Sequence, residues 1–399
     1  MRNLKICIRM NKKVFLLLAT AGLLATACQD AAGEEDAPLS KHTQPKAVAP
    51  KATNGDEYLY TVTYTDLDYF GVGEYMKSRY GVLDMAPAGC SSARTGNFHG
   101  RNLDYYVNEC ADLVITMRGS KDRLASIGTS ADFPPCTKQA IDEGTLSETD
   151  YAAAAYYMND GINECGVVVN SNVVPAGECD HTSGTKPGAT TIVSNGVVRY
   201  LLDRARSVDH AIELLKGVNI AMPTTADFHY ESHWMISDPT KTVVVEVWNN
   251  ELIVMENNVM TNFYISHPDT PMGIGHERYD ILAKHIAEGL TAEGMETLMK
   301  RVWYSKAYST KEDPIWYSEG LEEGCGFTWA DIKSGERVDE MFPLKLEVEK
   351  DYQSVDYQKS LRDGRYWYTT HSIVYDIEQR TMSLICQEND TAWKFKLKK

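Results

Sequence analysis

The clearest candidate for chemistry in this sequence is a cysteine that precedes a charged pair. Cys90 begins a run of small and hydroxyl residues, a Thr95-Gly96-Asn97 turn signal follows, and Arg101 and Asp104 lie on the next extended run. A hairpin over this stretch brings the guanidinium and the carboxylate near the sulfur. A thiol is reactive as its thiolate, which a neighbouring cation favours, and a carboxylate can hold the amine that serves as base. The pattern predicts a nucleophile with its supporting charges.

The ordinary alternative is structural. A single cysteine beside a turn is more often a small buried hydrophobe than a nucleophile, and an Arg–Asp pair of this spacing is often a surface pair of little energetic consequence. The hairpin alone does not separate the two interpretations, and later motifs in the chain are needed.

Composition bounds the class of protein. The 399 residues are 43% hydrophobic and 10% aromatic, which supports a substantial core. The formal net charge of −16 argues against a nucleic-acid partner, because polyanion binding depends on Lys and Arg. The nine cysteines include no CxxC pair and no zinc-type Cys/His spacing, so no metal site is predicted. In an exported protein, Cys136 and Cys179 are the favoured disulfide partners.

The N-terminus predicts export. Residues 1–27 hold five basic residues and no acidic one, and end in an apolar run too short to span a bilayer, which is typical of a signal peptide. Its true start is either Met1 or Met10. Cys28 follows Ala25-Thr26-Ala27 and resembles the lipidated cysteine of bacterial lipoproteins. We therefore expect a lipoprotein anchored in a membrane through Cys28 alone, periplasmic or at the cell surface; the alternative is an ordinary secreted protein.

Two segments separate this signal from Cys90. Residues 28–56 are rich in Ala, Pro, Lys, Glu and Asp and hold almost no large apolar residues, so we predict a disordered tether. Residues 57–89 regain aromatic residues and end in Ala86-Pro87-Ala88-Gly89, small residues that suit backbone strain at a cleavage site. We interpret 57–89 as a propeptide. The alternative is the first strand and helix of the domain.

Local patterns predict the elements that position these residues. Residues 111–118 and 124–130 have the composition of strands, and residues 232–262 contain three alternating strands joined by short turns. Helices are expected over 190–206, over 207–217 with Ser207 as N-cap and Gly217 as stop, from about Gly275, and over 291–304. Residues 365–375 and 381–387 are predicted as a closing hairpin.

Further motifs follow Cys90 in a fixed order. An Asn-Glu turn at Asn163 leads into an apolar strand that holds Asn170 and Asn172. His-Trp-Met-Ile-Ser-Asp begins at 233, Val-Val-Glu ends at 246, Thr-Asn ends at Asn262, and Arg278 opens a helix. This order resembles the cysteine N-terminal-nucleophile hydrolases: choloylglycine (bile salt) hydrolases, penicillin V acylases and the acid ceramidase group, whose His-Gly-Arg-Asn-Leu-Asp version is close to residues 99–104.

The resemblance implies an α+β fold, the four-layer αββα sandwich of N-terminal-nucleophile hydrolases, over residues 90–399. It implies hydrolysis of a linear amide without a cofactor, through an acyl-enzyme on a Cys exposed as the first residue of the active chain. The substrate would be a small N-acyl amide, and a homo-oligomer is left open. The site residues implied are Cys90, Arg101 and Asp104, the oxyanion donors Asn172 (or Asn170) and Asn262, Arg278, and Leu103, Tyr105 and Tyr106 for substrate binding.

Two other classes stay open. One is a Cys–His thiol hydrolase of the papain type with His99, His210 or His233 as base. The other is an inactive surface lipoprotein that binds acyl ligands, because Cys90 and Arg101 lie several residues closer than in the relatives. Among active relatives, bile salt, penicillin-like amide, N-acyl lactone and fatty-acid amide hydrolases share this machinery and differ in their pocket loops.

Overall fold

Two large β-sheets, two short two-stranded sheets and the helices on the outer faces of the large sheets carry the residues singled out above. The computed structural model describes residues 38–48, 59–80, 90–106, 110–131, 133, 135–175, 186–221, 230–268, 273–286, 289–302, 305–307, 366–386 and 392–397. Clustering of contacts separates Met1–Pro38 from Leu39–Lys399. The signal peptide, Cys28 and residues 81–89 lie outside the described residues.

The strands are numbered in chain order. They are β1 Ser40–His42, β2 Lys46–Ala47, β3 Leu59–Leu67, β4 Cys90–Thr95, β5 Phe98–Tyr106, β6 Asp112–Met117, β7 Ser126–Ser130, β8 Asp160–Asn163, β9 Val168–Pro175, β10 Thr191–Val193, β11 Asn219–Ala221, β12 Tyr230–Ser237, β13 Thr242–Trp248, β14 Glu251–Glu256, β15 Val259–Met260, β16 Asn262–Phe263, β17 Gly273–Ile274, β18 Ser305–Ala307, β19 Tyr366–Asp376, β20 Thr381–Cys386 and β21 Ala392–Lys396.

The α-helices described are α1 Tyr69–Tyr80, α2 Lys138–Asp142, α3 Glu148–Tyr156, α4 Val197–Arg204, α5 Val208–Lys216, α6 His276–His285 and α7 Ala292–Lys300. The larger sheet has the order β1-β3-β6-β7-β8-β9-β12-β13-β14, with β2 also on β3. The smaller has the order β15-β4-β5-β19-β20-β21, with β18 on β19. Neighbours in both sheets are antiparallel except β3 and β6.

These elements form four layers, and a hydrophobic core lies between each layer and the next. The first lies between the larger sheet and α1, α3, α4 and α5. The second joins Val114, Ile127 and Val168 of the larger sheet to Ile373 and Leu384 of the smaller, and so lies between the sheets. The third packs the outer face of the smaller sheet against α6 and α7. A sheet must bury its apolar face against another layer, and here each sheet buries both. The predicted αββα architecture is confirmed.

The predicted Cys90 hairpin is present. Strands β4 and β5 pair antiparallel, with Cys90 opposite Leu103 and Ser92 opposite Arg101. Gly96 in the turn has φ 52, the left-handed backbone that glycine adopts without steric cost. Both strands of the hairpin are internal strands of the smaller sheet, because β15 pairs with the outer edge of β4 and β19 pairs with the outer edge of β5.

Where the sequence contains capping residues, the helix ends lie at the predicted positions. Helix α5 begins after Ser207, whose side chain accepts from the His210 backbone N–H, and ends at Gly217, as predicted. The helix predicted over 190–206 is wrong in its first half. Residues Thr191–Val193 pair with Asn219–Ala221 as a short parallel ladder, and only Val197–Arg204 is α-helical.

The segments before Cys90 are more ordered than predicted. Ser40–His42 and Lys46–Ala47 pair with β3, which corrects the tether prediction for this part. Short strands can pair through backbone hydrogen bonds without large apolar side chains, so composition alone did not reveal them. The His42 ring also packs against the Tyr151 ring, with centroids 3.9 Å apart and planes tilted by 33°.

Residues 59–80 are part of the sandwich. Strand β3 lies between β1 and β6, and its Tyr64 is fully buried and donates a hydrogen bond to the Tyr151 carbonyl at 2.7 Å. Helix α1 contributes Val72 to the core that α3 and α4 share. The part of the predicted propeptide that the structure describes is therefore the first strand and helix of the same compact unit.

Two further observations concern export. No helix among the described residues is long and apolar enough to cross a membrane. Cys136 is a fully buried free cysteine, and Cys179, its favoured disulfide partner, lies outside the described residues. The surroundings of Cys136 are apolar, and burial raises the pKa of its thiol well above the ordinary range.

Candidate active site

Cys90 is held at each of its polar atoms. The residue is buried, with 1% of its surface exposed. Arg101 Nη2 lies 3.8 Å from the sulfur, the Cys90 backbone N–H donates to Asn262 Oδ1 at 2.7 Å, and Arg278 Nη1 donates to the Cys90 carbonyl oxygen at 3.2 Å. One side chain of the same hairpin and two from much later in the chain therefore fix this residue.

Arg101 is anchored from the opposite sheet. Its Nη1 donates to Asp160 Oδ2 at 2.7 Å, and its Nη2 also reaches the Ser171 carbonyl at 3.3 Å. Asp160 accepts from Thr129 Oγ1 at 2.9 Å and from the Tyr375 hydroxyl. Because Arg101 and Asp160 are both buried, this ion pair crosses the space between the sheets and sets where the guanidinium meets the sulfur.

Asp104 and Arg278 form a second buried pair. Arg278 Nη1 donates to Asp104 Oδ2 at 2.5 Å, and Thr369 Oγ1 donates to Asp104 Oδ1 at 2.6 Å. Arg278 Nη2 also donates to Asn262 Oδ1 at 2.9 Å. Arg278 lies in the first turn of α6, after Gly275 with φ 83. The structure therefore brings Arg278, Asp104 and Asn262 together around the nitrogen and carbonyl of Cys90.

Burial dominates the protonation of this site. It raises the pKa of the Cys90 thiol to about 11, against the opposing effect of Arg101, so the sulfur is protonated at neutral pH. Burial also raises the pKa of Asp104 to about 6, although Arg278 and the Thr369 hydrogen bond favour its ionised form. Asp104 is therefore ionised near neutral pH and gains a proton in mild acid.

Asn172 occupies a different place from the one predicted. Its Nδ2 donates to the carbonyl oxygens of Met260 at 3.3 Å and Thr261 at 3.2 Å, and its Oδ1 accepts from Asn170 Nδ2 at 3.0 Å. A carboxamide has two N–H groups. Both point at backbone carbonyls, and this geometry argues against Asn172 as an oxyanion donor. Asn170, the alternative, donates to Ser92 Oγ at 2.8 Å.

None of the three candidate histidines reaches the sulfur. His99 is hydrogen-bonded to Ser237 Oγ and Asn170 Oδ1, both at 2.8 Å, and burial lowers its pKa to about 4. His233 contacts Glu246 and the Thr261 carbonyl, and His210 lies in the first turn of α5. Within the described residues, the Cys–His alternative therefore lacks a base in contact with Cys90.

The predicted substrate-binding residues lie on β5. Leu103 is buried opposite Cys90. Tyr105 and Tyr106 follow on the same strand, and their side chains lie outside the described residues. In the part of the chain that is described, no group of three or more His, Cys, Asp or Glu side chains is arranged to hold a metal ion.

Sequence reasoning missed Asp160, Thr129 and Tyr375. Tyr375 and Asp160 are 215 positions apart, and Thr129 lies on a third strand. The one available signal was an acidic residue, Asp160, three positions before the Asn-Glu turn at Asn163, in a stretch whose other residues suit the core.

One family profile and several solved structures are similar to this chain. The profile of the linear amide C–N hydrolases, choloylglycine hydrolase family, matches residues 90–267. No curated protein sequence matches the chain. Similar solved structures include a mutant conjugated bile acid hydrolase from Clostridium perfringens, 16% identical with a TM-score of 0.41, covering 77% of this chain and 92% of that one.

Another similar structure is the penicillin V acylase from Agrobacterium tumefaciens, 12% identical with a TM-score of 0.39, covering 77% of this chain and 86% of that one. The matched region 90–267 contains the Cys90 hairpin, Asp160 and Asn262, while Arg278 follows it. The sequence from Cys90 to His267 is thus similar to the linear amide C–N hydrolases of the choloylglycine hydrolase family.

Proposed function

We propose that the protein hydrolyses the amide bond of small N-acyl compounds, with Cys90 as nucleophile and as first residue of the active chain. The observation that carries the proposal is the set of contacts on Cys90, whose sulfur, nitrogen and carbonyl oxygen each have a side-chain partner. A cysteine that only fills a core needs no partner at its sulfur. Holding all three atoms orients the nucleophile before substrate arrives.

The base in this proposal is the Cys90 nitrogen. In the uncut chain it is a peptide nitrogen and cannot take a proton. Once the bond to Gly89 is hydrolysed, it becomes an α-amino group with an ordinary pKa of about 8, so that a fraction is neutral near pH 7. Asn262 Oδ1, which accepts the N–H in the uncut chain, would orient that amine.

The reaction then balances without a cofactor. The thiol proton moves to the α-amine, the sulfur bonds to the amide carbon, and the C–N bond breaks as the leaving amine takes up the proton. Water next attacks the thioester, releases the carboxylic acid and restores the thiol. Arg101 favours the thiolate. Asn262, whose Nδ2 also donates to the Val173 carbonyl oxygen at 2.7 Å, is the proposed oxyanion donor, worth roughly 3–4 kcal/mol of transition-state stabilisation.

Cleavage before Cys90 would not release what precedes it. Strand β3 is hydrogen-bonded on both sides and Val72 of α1 lies in the shared core. We propose that residues 59–80 stay bound after the cut, as a structural part of the active enzyme. The buried, protonated thiol of the uncut chain fits an inactive precursor.

Intact-mass measurement with N-terminal sequencing tests this function. We expect full activity in protein that begins at Cys90, slow processing in Cys90→Ser, and neither processing nor activity in Cys90→Ala, a loss of at least about 10⁴-fold. A fully active preparation in which Gly89 and Cys90 remain joined would overturn the N-terminal-nucleophile mechanism.

The substrate is proposed from the family of residues 90–267 only. Conjugated bile salts or other N-acyl amides are the first class to test, followed by penicillin V, N-acyl lactones and fatty-acid amides. A panel assayed on processed protein ranks them by kcat/KM. Tight binding of acyl ligands without turnover would instead favour an acyl-binding lipoprotein.

We also propose that the protein is exported and anchored through a lipid on Cys28. The support is the sequence of residues 1–28 alone. Native protein should sediment with membranes and Cys28→Ser should be released into the soluble fraction. Recovery of all native protein as soluble would contradict the anchor.

A further inference from the structure

Three fully buried polar residues form a row across the larger sheet. Asn172 on β9 lies opposite His233 on β12, and Trp234 lies opposite Val245, which places Glu246 on β13 beside His233. Residues opposite each other on neighbouring strands point to the same face. All three members of this row, which we call the polar row, are 0% exposed.

The first two members of the polar row bind the same carbonyl. His233 Nε2 is hydrogen-bonded to the Thr261 carbonyl oxygen at 2.8 Å, and Asn172 Nδ2 donates to it at 3.2 Å and to the Met260 carbonyl at 3.3 Å. Thr261 directly precedes Asn262. The backbone on the N-terminal side of Asn262 is therefore held from the larger sheet.

Glu246 binds the other side of the same segment. Its carboxylate accepts from the Ile265 backbone N–H at 2.8 Å, from the Ser266 N–H at 3.0 Å and from the Ser266 hydroxyl at 2.5 Å. It also contacts His233 Nδ1 at 3.2 Å. Every partner of this carboxylate other than His233 is a donor, so no proton is needed on Glu246.

These contacts determine the charge of His233. One ring nitrogen faces a carbonyl oxygen and the other faces a carboxylate, and both of these groups only accept hydrogen bonds. A neutral imidazole has a single N–H, so only the imidazolium can donate to both. Burial disfavours an ionised Glu246, but its bonds from His233 and Ser266 outweigh this and lower the pKa of the carboxyl.

We propose that the polar row positions Asn262 at Cys90, with His233 as a buried imidazolium paired to Glu246. A buried ion pair contributes little net stability compared with apolar residues, while it fixes geometry strongly. This gives a role to the His-Trp-Met-Ile-Ser-Asp and Val-Val-Glu motifs, and places Asn172 among the positioning residues. The effect on turnover rests on the proposed function; the charge of His233 does not.

The kinetic test is Glu246→Gln, which keeps the side-chain shape and removes the charge. We expect kcat to fall by about tenfold to 10²-fold with KM nearly unchanged, because a displaced oxyanion donor acts on the transition state. Asp112→Asn is the matched control. It removes the acid of another His–carboxylate pair, His371–Asp112 at 3.0 Å, in which His371 is buried and Asp112 is partly exposed, and should leave kcat unchanged. Equal kcat values for Glu246→Gln and wild type, or equal losses in both variants, would overturn the positioning role.

A milder variant keeps the test possible if Glu246→Gln does not fold. Ser266→Ala removes one donor to Glu246 and should lower kcat by about threefold with little loss of stability. If Glu246→Gln does not fold and Ser266→Ala retains the full wild-type kcat, the inference fails.

Histidine ¹⁵N NMR tests the charge without any substrate. In wild-type protein at neutral pH, both ring nitrogens of His233, assigned by the signal lost in His233→Gln, should be protonated. A neutral ring with one N–H would overturn the proposal. If the wild type hydrolyses none of the amides, the proposed function fails, yet the NMR result still decides the ion pair.

Discussion

Two buried Arg–Asp pairs flank the same cysteine and differ in how they are supported. The sulfur-side pair is Arg101–Asp160, whose guanidinium lies at the thiol. The nitrogen-side pair is Arg278–Asp104, whose guanidinium lies at the Cys90 carbonyl and at Asn262. The first joins the two sheets through the interior. The second joins the smaller sheet to helix α6.

The difference is in the number of donors around each carboxylate. Asp160 accepts from Arg101, Thr129 and Tyr375, whereas Asp104 accepts from Arg278 and Thr369. Burial raises the pKa of Asp104 to about 6. In the sulfur-side pair, two hydroxyl groups donate to the carboxylate. In the nitrogen-side pair, the carboxylate gains a proton in mild acid. We expect the sulfur-side pair to determine the reactivity of the Cys90 thiol. We expect the nitrogen-side pair to determine the pH range over which the protein is active.

The largest effect should come from Arg101→Met, which removes the cation at the sulfur. We expect kcat/KM to fall by about 10²–10³-fold, an effect comparable to losing a transition-state donor. The variant also leaves Asp160 charged and unpaired in the interior, costing about 3–5 kcal/mol in the free energy of unfolding. Steady-state kinetics and denaturant unfolding measure the two losses.

Arg94→Met is the control for that experiment. Arg94 lies on the same hairpin, half-buried, and its Nη2 donates to the Asp238 carbonyl at 3.2 Å, away from the sulfur. Its loss should leave kcat/KM nearly unchanged. A similar fall in both variants would mean that the hairpin, and not the charge at Cys90, is what matters.

The nitrogen-side pair predicts an acid limit to activity. Protonation of the proposed base, the Cys90 α-amine with its ordinary pKa of about 8, already lowers kcat/KM as pH falls. Below about 6, Asp104 also gains a proton and Arg278 loses its ionic partner, so kcat/KM should drop by a further factor of about ten per pH unit. Asp104→Asn should lower the rate at neutral pH and abolish only this additional fall, and a wild-type profile that does not steepen between about pH 6 and pH 5 would remove Asp104 from the role assigned to it.

Unfolding is not the cause of that additional fall. The folded-state pKa of Asp104 lies above its ordinary value of 3.8, so the folded protein binds the proton more tightly than the unfolded chain. By linkage, the stability contributed by this carboxyl is present at low pH and is lost as pH rises through about 6. Thermal unfolding at each pH separates this effect from the loss of rate.

A smaller effect is expected from Asp160→Asn. The change removes the negative partner of Arg101 but keeps an oxygen that Thr129 and Tyr375 can still bind. We expect kcat/KM to fall by about tenfold, because Arg101 is less firmly placed at the sulfur. If Asp160→Asn lowers kcat/KM as much as Arg101→Met does, the Asp160 carboxylate contributes to the reaction itself. Its assignment as a residue that only holds Arg101 in place would then be wrong.

The smallest effect is expected from Tyr375→Phe. One donor to Asp160 is lost while Arg101 and Thr129 remain, so stability should fall by about 1 kcal/mol and the rate by less than about threefold. Tyr64→Phe removes a comparable buried hydroxyl far along the chain, at the Tyr151 carbonyl. It should match the stability loss and leave the rate unchanged. A larger rate loss for Tyr375→Phe would show that the bracing of Asp160 is less redundant than its contacts indicate.

Local chemistry explains what could be predicted. A turn glycine between two short extended runs placed Cys90, Arg101 and Asp104 on neighbouring strands, and the Ser207 and Gly217 caps bounded α5. These features depend on residues close in sequence. The tether prediction was wrong over residues 40–47, since strand pairing through the backbone leaves little trace in composition.

By itself, the sequence determined which residue is the candidate nucleophile, which charges accompany it, and the four-layer fold that its motif order implies. Only the tertiary structure decided where side chains point. Asn172 was placed in a buried strand, but register against His233 turned its amide to the Thr261 carbonyl. Asp160 and Tyr375 meet because two sheets pack face to face. Side-chain direction follows from strand pairing and layer packing, which join residues far apart in the chain, and no local pattern records them.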